Sequence, residues 1–249
     1  MNDSNEWISV IMTALIFERY QFNITLAALR NLLFFTYPYK IQLIFVHNKW
    51  RKCDEMDAHI KALNFDDYIY VANEENLSLG KMYNQGIAHA KYENIAILSN
   101  DMLVHEDWYK YGKYALDNGL DIVCLYTHRF KRQVFEDEVA SKTKDGLWVY
   151  SFSDGAGAFL IKKKAYDLIG PFNEEMRLYM DRDYYYRLRK QGIKMGSHIK
   201  STATHLGQMT LINPENNTKH QDIFGWDYYE QMEKENKYLQ EHKDIYEGL

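Results

Sequence analysis

The stretch NLSLGKMYNQGIAHAKYENIAILSND (76–101) carries a helical pattern over Lys81 to Ala90 and then a β-rich apolar run, NIAILSND (94–101), that ends on a carboxylate. Working outward, the same alternation repeats towards the N-terminus. ISVIMTA (8–14) has the near-continuous apolar character of a strand buried on both faces. From Glu18 to Phe35 the apolar residues Phe22, Leu26, Leu29 and Leu33 recur at steps of 4, 3 and 4, which predicts one greasy stripe on a helix that ends ahead of Pro38. IQLIFVHN (41–48) is a second strand, Asp54 to Leu63 a second helix, and DYIYVAN (67–73) a third strand. Strands alternating with helices are the signature of βαβ units, so the expected fold class is α/β with a central, mainly parallel sheet flanked by helices.

The second half is less regular. Leu120 to Tyr126 is expected as a strand, Thr127 to Gly146 as a polar mobile loop, and WVYSF (148–152) and GAGAFLIKK (155–163) as further strands. A helix is expected from Arg182 to Gln191, a strand or turn around His198 to His205, a loop over NPENNTKHQD (213–222), and a charged helix in the tail from Trp226 to Tyr246. No internal repeat or low-complexity linker divides the chain. It is expected to be a single domain, with residues 1–101 as one half, 102–212 as the other and 213–249 as a helical appendage.

Composition narrows the class. The chain has 249 residues, 46% of them apolar, enough for a sizeable core. Its net charge of −5 removes the usual electrostatic case for a nucleic-acid partner. The 2 cysteines, Cys53 and Cys124, make no disulfide framework or metal motif. The opening MNDSNEW has no secretory pattern, and the apolar run Ile8 to Phe17 is far shorter than the roughly 20 residues of a membrane helix. A cytoplasmic location, with access to the membrane surface, is the expectation.

Asp101 ends a buried strand of an α/β domain, where open sheets bind their ligands; as a tetrapeptide, LSND is equally readable as a simple turn. The surrounding residues add context: Asn76, Gly80, Asn84 and Gly86 stand between two strands upstream, and HEDW (105–108) starts a helix downstream. In this order the chain resembles the family 2 glycosyltransferases, whose Asn- and Gly-rich segment precedes a strand ending in an Asp-X-Asp-like motif and then a Trp. The resemblance continues through GAGAFLIKKKAYDLIGPFNEEMRLYMDRDYYYRLRKQG (155–192) and THLGQ (204–208), and the C-terminal EKENKYLQEHK is similar to the family's tail.

The resemblance implies a GT-A fold and inverting transfer of a sugar from a nucleotide-sugar donor, with UDP the expected nucleotide. Asp101 and His205 would hold a divalent ion against the diphosphate, whose growing charge on departure needs a Lewis acid. An imidazole ligand favours Mn²⁺ over the alternative, Mg²⁺. Asp181 in YMDRD would be the catalytic base. Asp183 is the neighbouring candidate, and both are also readable as the acidic first turn of a helix; an i, i+4 pair with Arg187 gives Asp183 a structural or acceptor-binding role. Thr13, Ala14, Asn76, Gly80, Asn84 and Asn100 fall on the donor side, and Gly155, Ala156 and Gly157 on the acceptor side.

The chain also departs from the family pattern. TALIFER replaces the family's turn after strand one, leaving Thr13 as the nearest contact for base and ribose. His47 and Asn48 stand where an Asp usually reads uracil, Ser99 replaces the first acid of the metal motif, and Met180 replaces the Glu before the base. The acceptor is expected to be a saccharide or glycolipid. A modified DNA base or a protein is the alternative, and HRFKR (128–132), with Phe130 among cations, is the feature that would serve DNA. Nucleotidyl transfer would need a Gly-rich basic loop after strand one, which TALIFERYQ lacks; a non-catalytic sugar-binding module would have no use for a base.

Overall fold

The computed structural model describes residues 6–16, 19–48, 55–127, 139–150, 158–206 and 227–241. The first half follows the predicted alternation closely: β1 (Trp7–Leu15), α1 (Arg19–Thr36), β2 (Lys40–Asn48), α2 (Glu55–Ala62), β3 (Asp67–Asn73), α3 (Leu79–Ala88) and β4 (Asn94–Ser99). After these come β5 (Met102–Val104), α4 (Trp108–Asp117), β6 (Ile122–Cys124), β7 (Tyr126–Thr127), β8 (Val139–Lys142), β9 (Leu147–Tyr150) and β10 (Ala158–Lys162). The chain continues with α5 (Lys163–Ile169), α6 (Met180–Lys190), β11 (Met195–His198), β12 (Thr202–His205) and α7 (Tyr228–Glu241).

The main sheet has the order β3-β2-β1-β4-β10-β6-β11-β9-β8. Strands β3, β2, β1 and β4 run parallel, whereas β10 is antiparallel to both β4 and β6. Alternate side chains of these strands serve two separate cores. Val10, Met12, Leu43, Phe45, Ala96 and Leu98 pack with α1, α2 and α4. Ile11, Ile44, Val46, Ile95 and Ile97 pack with α3, α5, α6 and α7. Burial on both faces explains why these strands read as unbroken apolar runs.

Three expectations are corrected. Residues 139–142, expected within a mobile loop, form β8, which pairs antiparallel with β9 across a turn at Gly146. The strand expected over Leu120 to Tyr126 divides into β6 in the main sheet and β7 in a second one, because β7 leaves to pair with β12. The strand expected to run to Asp101 stops at Ser99; Asn100 and Asp101 make the turn into β5. The segments 128–138 and 213–222 lie outside the described residues.

The contact between α3 and the sheet depends on Gly86. A Cβ added there would stand 2.4 Å from Ile11 Cγ2, in the middle of β1. Helix propensity alone would favour alanine by about 1 kcal/mol, whereas overpacking a core costs about 1–3 kcal/mol. Gly86→Ala is therefore expected to destabilise the protein net, by up to about 2 kcal/mol, read as a lower urea midpoint with an unchanged m value. An unchanged or raised midpoint would show that α3 yields at no cost.

Candidate active site

Because β1 to β4 are parallel, their carboxyl ends share one edge of the sheet, and the order β3-β2-β1-β4 places the reversal of strand order between β1 and β4. A cleft of about 260 Å³ opens there. Thr13, Ala14 and Leu15 from the end of β1, and Ser99 and Asn100 after β4, form its floor. Thr13 and Ser99 are register partners across the β1–β4 ladder. Asn48, Asn76 and Ser78 line one wall and Arg177 and Leu178 another.

The wall around Asn48 is a network of neutral amides. Asn48 Nδ2 donates to Asn76 Oδ1 (3.2 Å) and to the Leu77 carbonyl (3.0 Å), and its Oδ1 accepts from Asn73 Nδ2 (3.2 Å). Asn73 and Gln85 exchange a further pair of hydrogen bonds at 2.9 and 3.0 Å. His47 is fully buried, with Nδ1 2.6 Å from the Tyr70 hydroxyl, and does not line the cleft. Asn100 donates to Thr25 Oγ1 (2.8 Å), which ties the turn after β4 to α1.

Asn84 and Gly80 join α3 to the turn before α6. Asn84 Nδ2 donates to the Phe172 carbonyl and to Glu174 Oε1, and its Oδ1 accepts from Phe172 N, all at 2.9 Å. Gly80 packs against the same turn, where a Cβ would meet the Asn173 carbonyl oxygen at 2.7 Å. Ser78 caps α3 by accepting from Lys81 N and donates to the Glu174 carbonyl at 2.6 Å. These residues hold the two halves of the cleft in register.

The second sheet, β5-β12-β7, brings Asp101 and His205 together. His205 stands opposite Met102 in the antiparallel β12–β5 pair, and Leu206 N donates to the Asp101 carbonyl at 3.0 Å. His205 Nε2 consequently lies 3.1 Å from Asp101 Oδ2. His105 fastens this sheet, its ring nitrogens 2.8 and 2.9 Å from the hydroxyls of Thr202 and Thr204. Trp108, fully buried, donates from Nε1 to Thr36 Oγ1 and accepts at its carbonyl from Ser201 Oγ, so the turn before β12 is pinned to α1 through α4.

The donor set fits a divalent ion. One carboxylate oxygen and one imidazole nitrogen about 3 Å apart match neighbouring ligands on an ion with bond lengths of about 2.1 Å. No group of three or more His, Cys, Asp or Glu side chains able to hold a metal exists among the described residues. A protein pair completed by substrate phosphates and water is a common arrangement for such ions.

Asp181 lies in the first turn of α6, with Oδ1 accepting from Arg182 N at 2.8 Å. Asp183 is nearly buried and carries the i, i+4 ion pair with Arg187, whose Nε and Nη2 both reach Oδ2, at 3.0 and 2.9 Å. Gly155, Ala156 and Gly157 lie outside the described residues. Tyr83, on α3, escaped the sequence reading. Its buried phenol is pushed well above the usual tyrosine range, chiefly by desolvation and then by the charges of Asp181 and Asp101. Both carboxylates thus lie within Coulombic reach of one hydroxyl. Arg177 was also missed: both of its terminal nitrogens donate to the Asn76 carbonyl at 3.2 Å, and burial lowers its pKa.

The model of the glycosyl transferase family 2 matches residues 18–182, two thirds of the chain. The chain belongs to that family. It is a glycosyltransferase, and its fold is GT-A, shared with solved members. S. aureus TarS superposes with a TM-score of 0.60 at 13% identity, over 79% of this chain and 36% of that one. TarS 1–349 in complex with UDP-GlcNAc gives 0.63 at 12% identity, over 95% and 72%. The mannosyltransferase PcManGT from Pyrobaculum calidifontis, in complex with GDP-Man and Mn²⁺, gives 0.62 at 13%, over 82% and 58%. The chain thus spans about a third of the length of full TarS. No curated protein matches it in sequence. No helix among the described residues is long and apolar enough to cross a membrane.

Proposed function

We propose that this glycosyltransferase is metal-dependent and inverting, and moves a sugar from a nucleotide diphosphate donor, UDP-linked in the first instance, to a hydroxyl of a saccharide or glycolipid. The observation that carries this reading is the Asp101–His205 pair at 3.1 Å, its Asp101 directly after the cleft-lining Ser99 and Asn100 at the β1–β4 edge, with Asp181 in the first turn of α6 just beyond the cleft-lining Arg177 and Leu178. Thr13, Ala14, Asn48, Asn76 and Asn100 would receive the nucleotide. Asp101 and His205 would hold Mn²⁺, which when bound neutralises the departing diphosphate. Asp181 would take the acceptor proton as the acceptor oxygen bonds to the anomeric carbon and the bond from that carbon to the phosphate oxygen breaks. The donor half would comprise residues 1–101, the acceptor half 102–212, and the appendage 213–249, in a single domain working in the cytoplasm at or near a membrane surface.

Thermal denaturation with UDP or GDP, in Mn²⁺ or in EDTA, tests the reading without an acceptor. A ligand at about 100 times its Kd stabilises by about 2.7 kcal/mol, which for a chain of this size is a shift of roughly 5–10 °C. That shift is expected with nucleotide and Mn²⁺ together and not with nucleotide in EDTA. Equal shifts under both conditions would remove the metal from the donor site.

A further inference from the structure

We propose that the C-terminal helix is a working part of the transfer site, through Glu235 acting as a positioning residue for the segment 177–181. Glu235 is only 2% exposed, and carboxylates are seldom buried unless their oxygens are fully engaged. Its engagement is with the main chain. Oε1 accepts from Arg177 N, both oxygens accept from Leu178 N (3.2 and 3.0 Å), and Oε2 accepts from Tyr179 N (2.8 Å). Gln231 Nε2, one turn earlier on α7, donates to Oε1 at 2.6 Å.

Three consecutive amides converging on one carboxylate define the path of the backbone they belong to. Those amides immediately precede α6, whose N-cap residue, Tyr179, supplies no side-chain cap of its own. The first amides of a helix need an outside acceptor, and a carboxylate there also suits the positive end of the helix dipole. Glu235 meets that need for the N-cap amide of Tyr179 and fixes the two amides ahead of it, from more than fifty residues away. Leu239, one turn on, anchors α7 in the same core as α6.

The residues steered by this clamp are those of the site. Arg177 and Leu178 line the cleft, Arg177 bonds the Asn76 carbonyl on the opposite wall, and Asp181 follows in the first turn of α6. A displacement of about 1 Å at a reacting group can cost about 10²-fold in rate. The consequence for transfer rests on Asp181 being the base; the clamp itself does not.

The test compares Glu235→Gln and Glu235→Ala with wild type and with Asp181→Asn, on the full chain in Mn²⁺. Two readouts are taken: hydrogen exchange of the amides 177–179, and kcat for nucleotide released from a panel of UDP- and GDP-sugars. Glu235→Ala is expected to exchange at least about tenfold faster at these amides and to lose about 10²-fold in kcat while folded. Glu235→Gln, which keeps one acceptor oxygen but turns an NH2 towards the remaining donors, should fall between the two, with faster exchange than wild type and a kcat about three- to tenfold lower. Unchanged exchange, or wild-type kcat in folded Glu235→Ala, would overturn the proposal. If Glu235→Ala does not fold, Glu235→Gln decides: faster exchange with at least threefold lower kcat sustains it, and wild-type values overturn it. Wild-type turnover by Asp181→Asn alongside a slow Glu235→Ala would instead discard Asp181 as base and leave the clamp standing.

Discussion

Asp181→Asn is expected to retain joint binding of Mn²⁺ and nucleotide and to lose sugar transfer by about 10²–10⁴-fold, the usual contribution of a positioned general base. The amide is nearly isosteric, and its oxygen can still accept from Arg182 N as Oδ1 does at 2.8 Å, so the first turn of α6 is preserved. What is lost is the capacity to take a proton. Asp183→Asn should behave in the opposite way. Its carboxylate oxygen binds two nitrogens of Arg187 in a nearly buried pair, so the substitution costs stability, about 1–3 kcal/mol, while kcat of the folded protein stays near wild type. Steady-state transfer and urea midpoints of the two variants separate these outcomes. An active Asp181→Asn with a folded but inactive Asp183→Asn would move the base two residues along the helix.

The elements of the first half were legible because each signals its own period: unbroken apolar runs for strands buried on both faces, and steps of 3 and 4 for α1. The site was legible only as individual residues in an order. That Asp101 and His205 meet depends on the β5–β12 register, a tertiary contact with no local signature in two short strands. Asn84 illustrates a different difficulty. A polar residue in a Gly- and Asn-rich segment reads as a ligand contact, yet its side chain is committed to Phe172 and Glu174, across the junction between α3 and the α6 turn. Tyr83 and Arg177 were hidden for the reverse reason. In KMYNQGI a tyrosine fits the buried helix face, and in MRLYM an arginine among apolar residues gives no sign of which wall it will reach. Glu235 was the least accessible. In EKENK every charged residue reads as a solvated face, and only the docking of α7 against the start of α6 distinguishes the one that is buried.

The metal pair carries the other large effect. A partner that merely supports a ligand contributes about 10–100-fold to metal affinity, so loss of a direct ligand should weaken Mn²⁺ binding by at least that factor. His205→Ala is expected to do so with the fold intact, because His205 is partly exposed near the end of β12 and the β5–β12 pairing is made by backbone groups and by His105. Asp101→Asn should go further, since it removes the charge that holds the ion as well as a donor, and nucleotide binding should then become insensitive to Mn²⁺. His198 is the control. It is buried, stacked on Tyr111, and hydrogen-bonded through Nε2 to the Asp145 carbonyl at 3.0 Å. Its replacement should lower stability and leave the Mn²⁺ dependence of nucleotide binding unchanged. Titration calorimetry of UDP into each variant, with and without Mn²⁺, reads the difference directly. Mn²⁺ dependence lost in His198→Ala and kept in His205→Ala would mean that the ion is held elsewhere, and that the Asp101–His205 contact is an ordinary hydrogen bond closing the second sheet.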